Sequence, residues 1–88
     1  MAKVVIYSGT VQGVGFRATA VNMARRHPVR GWVRNLPDGR VELMVDGAAK
    51  EVESFLSEVR NRMAGHIDSE EVFEREAEGS LRGFDIVG

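Results

Sequence analysis

Cysteine is absent from the 88-residue sequence, which removes disulfides and thiolate metal sites together. No apolar run approaches the roughly 20 residues that a membrane-spanning helix requires. The N-terminus has no basic segment followed by an apolar core, so no secretory signal is expected. Aromatic residues are few, one Trp, one Tyr and four Phe, and a core accounts for most of them. An exposed stacking surface for single-stranded RNA would need more. Neither an internal repeat nor a linker-like stretch is visible. What remains, 43% hydrophobic and 28% charged residues, is ordinary for a folded chain and unlike a disordered one. The expectation is one domain over residues 1–88, cytoplasmic and without a membrane or nucleic-acid partner.

The net charge of −1 hides an uneven distribution. Residues 1–47 carry seven Lys/Arg against three Asp/Glu, whereas residues 48–88 carry five against ten. An anionic ligand therefore belongs with the first half, although a nucleic-acid surface would need a denser basic stripe.

Periodicity gives the elements. Lys3–Tyr7 is apolar and β-branched, as in a strand. Phe16, Ala20, Met23 and Ala24 fall on one face of a helix predicted from Phe16 to His27, with Arg25, Arg26 and His27 at its negative dipole end and Pro28 as its stop. Arg30–Asn35 reads as a second strand. Leu36-Pro37-Asp38-Gly39 forms a turn in which proline presets φ and glycine takes the left-handed position. Arg40–Gly47 returns as a third strand, where Val41, Leu43 and Val45 alternate with Arg40, Glu42, Met44 and Asp46. Ala48 to Met63 is helical, with Val52, Phe55, Leu56, Val59 and Met63 in one stripe. Ser69–Glu78, rich in glutamate, reads as a solvated edge strand guarded against aggregation. Gly83–Gly88 offers a short last strand with Phe84 and Ile86 on one face.

The order β-α-β-β-α-β is the split β-α-β, or ferredoxin-like, pattern: an α+β sandwich with a mainly antiparallel sheet and two helices on one face. Right-handed crossovers make the first two strands parallel, with the third between them. Their C-terminal ends then share one end of the sheet. The loop Gln12–Arg17 leaves the first strand there, and Asn35 closes the second strand at the same end.

That loop, within GTVQGVGFR (Gly9–Arg17), spends three glycines and one arginine in nine residues. A dinucleotide fingerprint is formally present, since Gly13, Gly15 and Ala18 fit G-x-G-x-x-A and Asp38 lies 20 residues past Ala18. An 88-residue chain is too short for a doubly wound sheet, however, and Asp38 sits in a hairpin turn. A plain tight turn explains Gly9 but leaves Arg17 without a role. An anion cradle explains both. Successive glycines let several backbone N–H groups face one concavity, the helix N-terminus adds its positive dipole end, and Arg17 supplies a guanidinium fork for two oxygens.

Together with GWVRNLPDG (Gly31–Gly39), this loop resembles the acylphosphatase family. The matching positions are Gly9, Val11, Gln12, Gly13, Val14, Phe16 and Arg17 in one block, and Gly31, Trp32, Val33, Asn35, Asp38, Gly39 and Val41 in the other. The similarity is strong from about Val4 to Val45 and continues weakly to the ending Gly83–Ile86. The resemblance implies hydrolysis of acyl phosphates to a carboxylate and inorganic phosphate, the latter both product and inhibitor. It implies that the backbone N–H groups of Gln12, Gly13, Val14, Gly15, Phe16 and Arg17 hold the phosphoryl oxygens. The same resemblance makes Arg17 the expected anchoring guanidinium and gives the Asn35 amide the expected role of orienting the attacking water. It further implies no metal and no phospho-enzyme, and no cofactor is expected; the glutamate-rich fourth strand argues against edge pairing, so a monomer is expected. Two departures stand out: Ala18-Thr19-Ala20 where many relatives carry a bulky aromatic, and Ala64–Glu71 in place of a Gly-Pro-Pro segment. A non-catalytic ferredoxin-like module binding RNA or a small anion is the competing reading.

The other chemistry-bearing residues carry weaker signals. His66, Asp68, Glu70 and Glu71 read as an exposed acidic loop rather than a metal site. His27 reads as a partner of the helix dipole. Ser8 and Thr19 flank the loop without a paired base. Val14 and Phe16 are expected to pack beneath the cradle, and alternation sends Arg34 to the face opposite Asn35.

Overall fold

A computed structural model describes residues 1–77, 79 and 81–88. The chain runs β1 (Ala2–Gly9), α1 (Phe16–Ala24), β2 (Arg30–Asn35), β3 (Val41–Asp46), α2 (Ala49–Arg62), β4 (Ile67–Arg75) and β5 (Phe84–Ile86). The sheet order is β4-β1-β3-β2-β5. β3 pairs antiparallel with both β1 and β2, β4 lies antiparallel on the outer side of β1, and β5 is parallel to β2. This is the expected ferredoxin-like arrangement, with β1 and β2 pointing the same way on either side of β3. Among the described residues no helix is long and apolar enough to cross a membrane.

Both helices bury the stripes their periodicity marks out. Phe16, Ala20, Met23 and Ala24 of α1 and Val52, Phe55, Leu56 and Val59 of α2 join Val5, Tyr7, Val33, Val41, Leu43 and Val45 in one cluster. Phe55 is fully buried, with the Phe84 ring edge-on at 5.3 Å. That contact ties β5 to α2 on the helical face of the sheet.

The alternation expected of β3 is incomplete. Met44 and Asp46, on the polar side of the pattern, are 0% and 1% exposed. Met44 is covered by a second small cluster on the other face of the sheet, built from Ala2 and Val4 with Ile6, Trp32 and Leu81 against it. Asp46 is enclosed by charge. Arg30 approaches its Oδ2 with Nε at 3.0 Å and a terminal nitrogen at 2.8 Å, and the Met1 ammonium lies 3.6 Å from Oδ1. A buried carboxylate persists only with such partners.

The ends of α1 and β4 differ most from expectation, while β1, β3, α2 and β5 are displaced at their ends by one or two residues. α1 ends at Ala24, three residues before His27, because the chain tightens there: Arg26 N–H bonds Met23 O and His27 N–H bonds Ala24 O, both three residues back. β4 starts earlier, at Ile67, and ends at Arg75, where its partner β1 also runs out, Ala2 facing Arg75. Glu78, the last residue expected in that strand, lies outside the described residues. At the other end of the β1–β4 ladder the register shifts at Gly9. A Cβ there would stand 2.4 Å from the His66 carbonyl oxygen and 2.7 Å from the Asp68 nitrogen, so close backbone approach requires glycine.

Candidate active site

Beyond Gly9 the chain turns through Val11, which is fully buried, and enters the glycine loop. Gly13 and Gly15 both adopt φ +78°, and Gly15 has ψ 22°. An L side chain in that left-handed region costs about 1–2 kcal/mol. A Cβ at either position would meet nothing within 4 Å. The backbone conformation, rather than crowding, therefore selects glycine. Left-handed residues alternating with others turn successive N–H groups toward one side, the geometry of an anion nest.

Gly15 is also the N-cap of α1 and has no side chain with which to cap it. The first intrahelical bond runs from Thr19 N–H to Gly15 O at 2.9 Å. The N–H groups of the preceding helical residues have no carbonyl one turn back, and the positive end of the helix dipole adds to them. Phe16 anchors this helix start: it is 2% exposed, with its ring 4.7 Å from that of Tyr7 on β1. The Tyr7 hydroxyl is buried without a hydrogen-bond partner among the described residues. Burial, reinforced by Glu70 and opposed by Arg60, pushes its pKa above the ordinary tyrosine value.

A cavity of about 170 Å³ opens at this end of the sheet. Val11 and Phe16 supply its buried apolar base, and Gly13, Gly15, Arg17 and Ala18 bound it on the loop side. Asn35 comes from the end of β2, and Ile86, 48% exposed, from β5. Arg17 and Asn35, 18 residues apart in sequence, thus share one cavity.

The charges around it are distributed unevenly. Arg34 is bound to Glu42 at 2.6 and 2.7 Å, and its guanidinium lies over Trp32 at 5.4 Å, on the face opposite Asn35. Arg40 is bound to Asp38 at 2.8 Å, and Arg30 to Asp46. The Arg40 backbone N–H, donating to Asp38, leads the interactions that hold this carboxyl below its ordinary pKa. Arg17 has neither an acidic nor a hydrogen-bonding partner among the described residues, and the Asn35 amide is likewise uncommitted. A cavity combining a left-handed glycine loop, an uncapped helix start, an unpaired guanidinium and a free amide can hold a tetrahedral oxyanion with a polar group left over.

Of the loop residues singled out from the sequence, Gly13, Gly15, Phe16 and Arg17 border the cavity. Val14 packs against the core. The Gln12 side chain turns to the β2–β3 hairpin, its Nε2 donating to Leu36 O at 2.8 Å and to Arg40 O at 2.9 Å. Val11, Ala18 and Ile86 also border the cavity, although no part in holding the phosphoryl group is expected of them from the sequence. For Ile86 the deciding fact is the parallel pairing of β5 with β2, Val33 facing Ile86, which no local pattern announces.

The remaining candidates lie elsewhere. His27 meets α2 carboxylates rather than a helix dipole alone: Nε2 is 2.5 Å from Glu58 Oε1 and Nδ1 is 3.7 Å from Glu51. The acidic residues expected in a loop mostly belong to β4, where Glu70 binds Arg60 at 2.7 Å and Glu71 approaches Arg40 at 3.7 Å. Trp32 packs half-buried on the second cluster.

Comparison with known proteins gives one consistent result. A family model described as acylphosphatase matches residues 3–86. An acylphosphatase from Roseiflexus sp. is 42% identical over 84 residues, covering 94% of this chain and 90% of that one. One from Trichormus variabilis is 40% identical over 82 residues, covering 93% and 81%. The crystal structure of acylphosphatase from Bacillus subtilis superposes with a TM-score of 0.86 at 32% identity, covering all of both chains.

Proposed function

Because the chain belongs to the acylphosphatase family, we propose that its glycine loop and Arg17 hold the phosphoryl group of an acyl phosphate while Asn35 orients the water that attacks it. The enzyme is a hydrolase of acyl phosphates. The observation that carries the residue assignment is the convergence of an unpaired guanidinium, a free amide and a left-handed glycine loop on one cavity.

The chemistry needs little more. In phosphoryl transfer, negative charge spreads over three equatorial oxygens. The backbone N–H groups of residues 12–17 and the Arg17 fork meet that charge from fixed positions, so no reorganisation accompanies the reaction. The water oxygen forms a bond to phosphorus as the bond from phosphorus to the carboxyl oxygen breaks. The carboxylate departs with the bonding electron pair, and the water proton passes to a phosphoryl oxygen, giving inorganic phosphate. A carboxylate is a good leaving group, so no general acid is required beside it. The cradle grips only the phosphoryl end, which suits a range of acyl groups. In the same reading the chain acts as a monomeric single domain in the cytoplasm.

The test is hydrolysis of benzoyl phosphate without added metal, with inorganic phosphate as inhibitor. Turnover with competitive inhibition by phosphate is expected. Well-folded protein that binds phosphate without turning over benzoyl phosphate would return the site to a simple anion-binding role. Unaffected turnover at saturating phosphate would refute the cradle.

A further inference from the structure

The Gln12 side chain spans two parts of the site rather than facing the cavity. Its Nε2 donates to Leu36 O at 2.8 Å and to Arg40 O at 2.9 Å, across 24 and 28 residues of sequence. Both carbonyls already have a partner within the turn: Leu36 O accepts from Gly39 N–H at 3.1 Å, and Arg40 O accepts from Leu36 N–H at 2.8 Å. The hairpin thus closes its own hydrogen bonds without Gln12. What the amide adds is a half-buried tie between two segments that the backbone connects only through α1 and β2. One end of the tie is the residue before Gly13. The other is the residue after Asn35.

We infer that Gln12 is a positioning residue, which fixes the separation between the phosphoryl cradle and the Asn35 amide. The inference rests on the water-orienting role of Asn35 proposed above. The left-handed glycines and the start of α1 shape the cradle whether or not the tie is present, so phosphate affinity does not depend on it. The distance from cradle to amide does. Misplacing a positioned group by about 1 Å can cost up to about a hundredfold in rate. The glutamine amide serves both carbonyls because it carries two N–H donors on one nitrogen.

The experiment compares Gln12→Met, which keeps the side-chain length but has no donor, and the smaller Gln12→Ala, each alone and combined with Asn35→Ala. Benzoyl phosphate turnover, KM and the inhibition constant of inorganic phosphate are measured, with active protein counted by phosphate-binding stoichiometry. Both single variants are expected to lose about tenfold in kcat, with KM and phosphate inhibition within about twofold of the parent. In the Asn35→Ala background neither is expected to lower kcat further, because the group it positions is gone. Parental kcat in both Gln12 variants, or the same fractional loss with and without Asn35, overturns the inference while leaving the Asn35 role intact. So does phosphate inhibition that weakens as much as kcat falls. Parental turnover in Asn35→Ala alone overturns the reading of Asn35, and the role of Gln12 with it.

Discussion

Unlike Arg30, Arg34 and Arg40, Arg17 has no carboxylate partner among the described residues. A lysine there would keep the charge and lose the fork, so Arg17→Lys is expected to weaken phosphate inhibition and turnover nearly as far as Arg17→Ala does, both beyond a hundredfold in kcat/KM by about the measure of a lost oxyanion donor. Steady-state kinetics with phosphate titration checks this, and a lysine variant at parental efficiency contradicts bidentate binding. Asn35→Ala separates differently: kcat falls by about a hundredfold while phosphate inhibition stays within twofold. Gly15→Ala places a side chain in open space but at φ +78°. It is expected to lose about 1–2 kcal/mol of stability, seen as a lower urea midpoint, together with weaker phosphate inhibition as the loop relaxes. Arg17 and the glycines stood out in the sequence because their chemistry is local to one loop, whereas Asn35 joined them through strand order and the family resemblance. The partner of Gln12 was not legible, since an amide bonds whatever carbonyl the distant hairpin presents.

Elements were legible wherever a single face decides burial. The stripes of α1 and α2 reach the core residue for residue, and β2 spans Arg30–Asn35 as read. β3 was only half legible, because the burial of Met44 and Asp46 is set by Trp32, Leu81 and Arg30, which belong to other segments. That enclosure has an energetic consequence. Arg30→Ala strips the main partner from a carboxylate that is 1% exposed. It is expected to cost about 1–3 kcal/mol. Because residue 30 begins β2 and Asn35 ends it, kcat per folded molecule is expected to stay at the parental value. Chemical denaturation alongside benzoyl phosphate assays distinguishes this from a change at the site. Phe55→Ala makes the same division more sharply, with about 3–5 kcal/mol lost from the core.

At the scale of the whole molecule, the connection order alone is enough to bring Gly13, Arg17 and Asn35 to one end of the sheet. The closing contribution of β5 does not follow from it, because a three-residue strand gives no sign of its neighbour. The charge asymmetry between the halves also survives in three dimensions: the cavity draws on β1–β2 and β5, and none of its bordering residues comes from α2 or β4. Neither histidine borders it, since His27 is engaged with Glu58 and His66 sits beside Gly9 at the head of β4. Among the described residues a guanidinium and an amide are the functional side chains that border it, so turnover is expected to be flat between about pH 5.5 and pH 8, where histidine titrates and these groups do not. A sigmoidal profile centred near pH 6.5 would require a histidine in the rate-limiting step. The position of β3 between β1 and β2 has a metric consequence. Two interstrand steps separate the strand that leads into the cradle from the strand that ends at Asn35, roughly 10 Å in all. That span is a multiple of the backbone hydrogen-bond repeat, so it is indifferent to which side chains fill the interior. Repacking the core changes how firmly that strand spacing is held, but not its length; the last step, from the strand ends to cradle and amide, is left to Gln12.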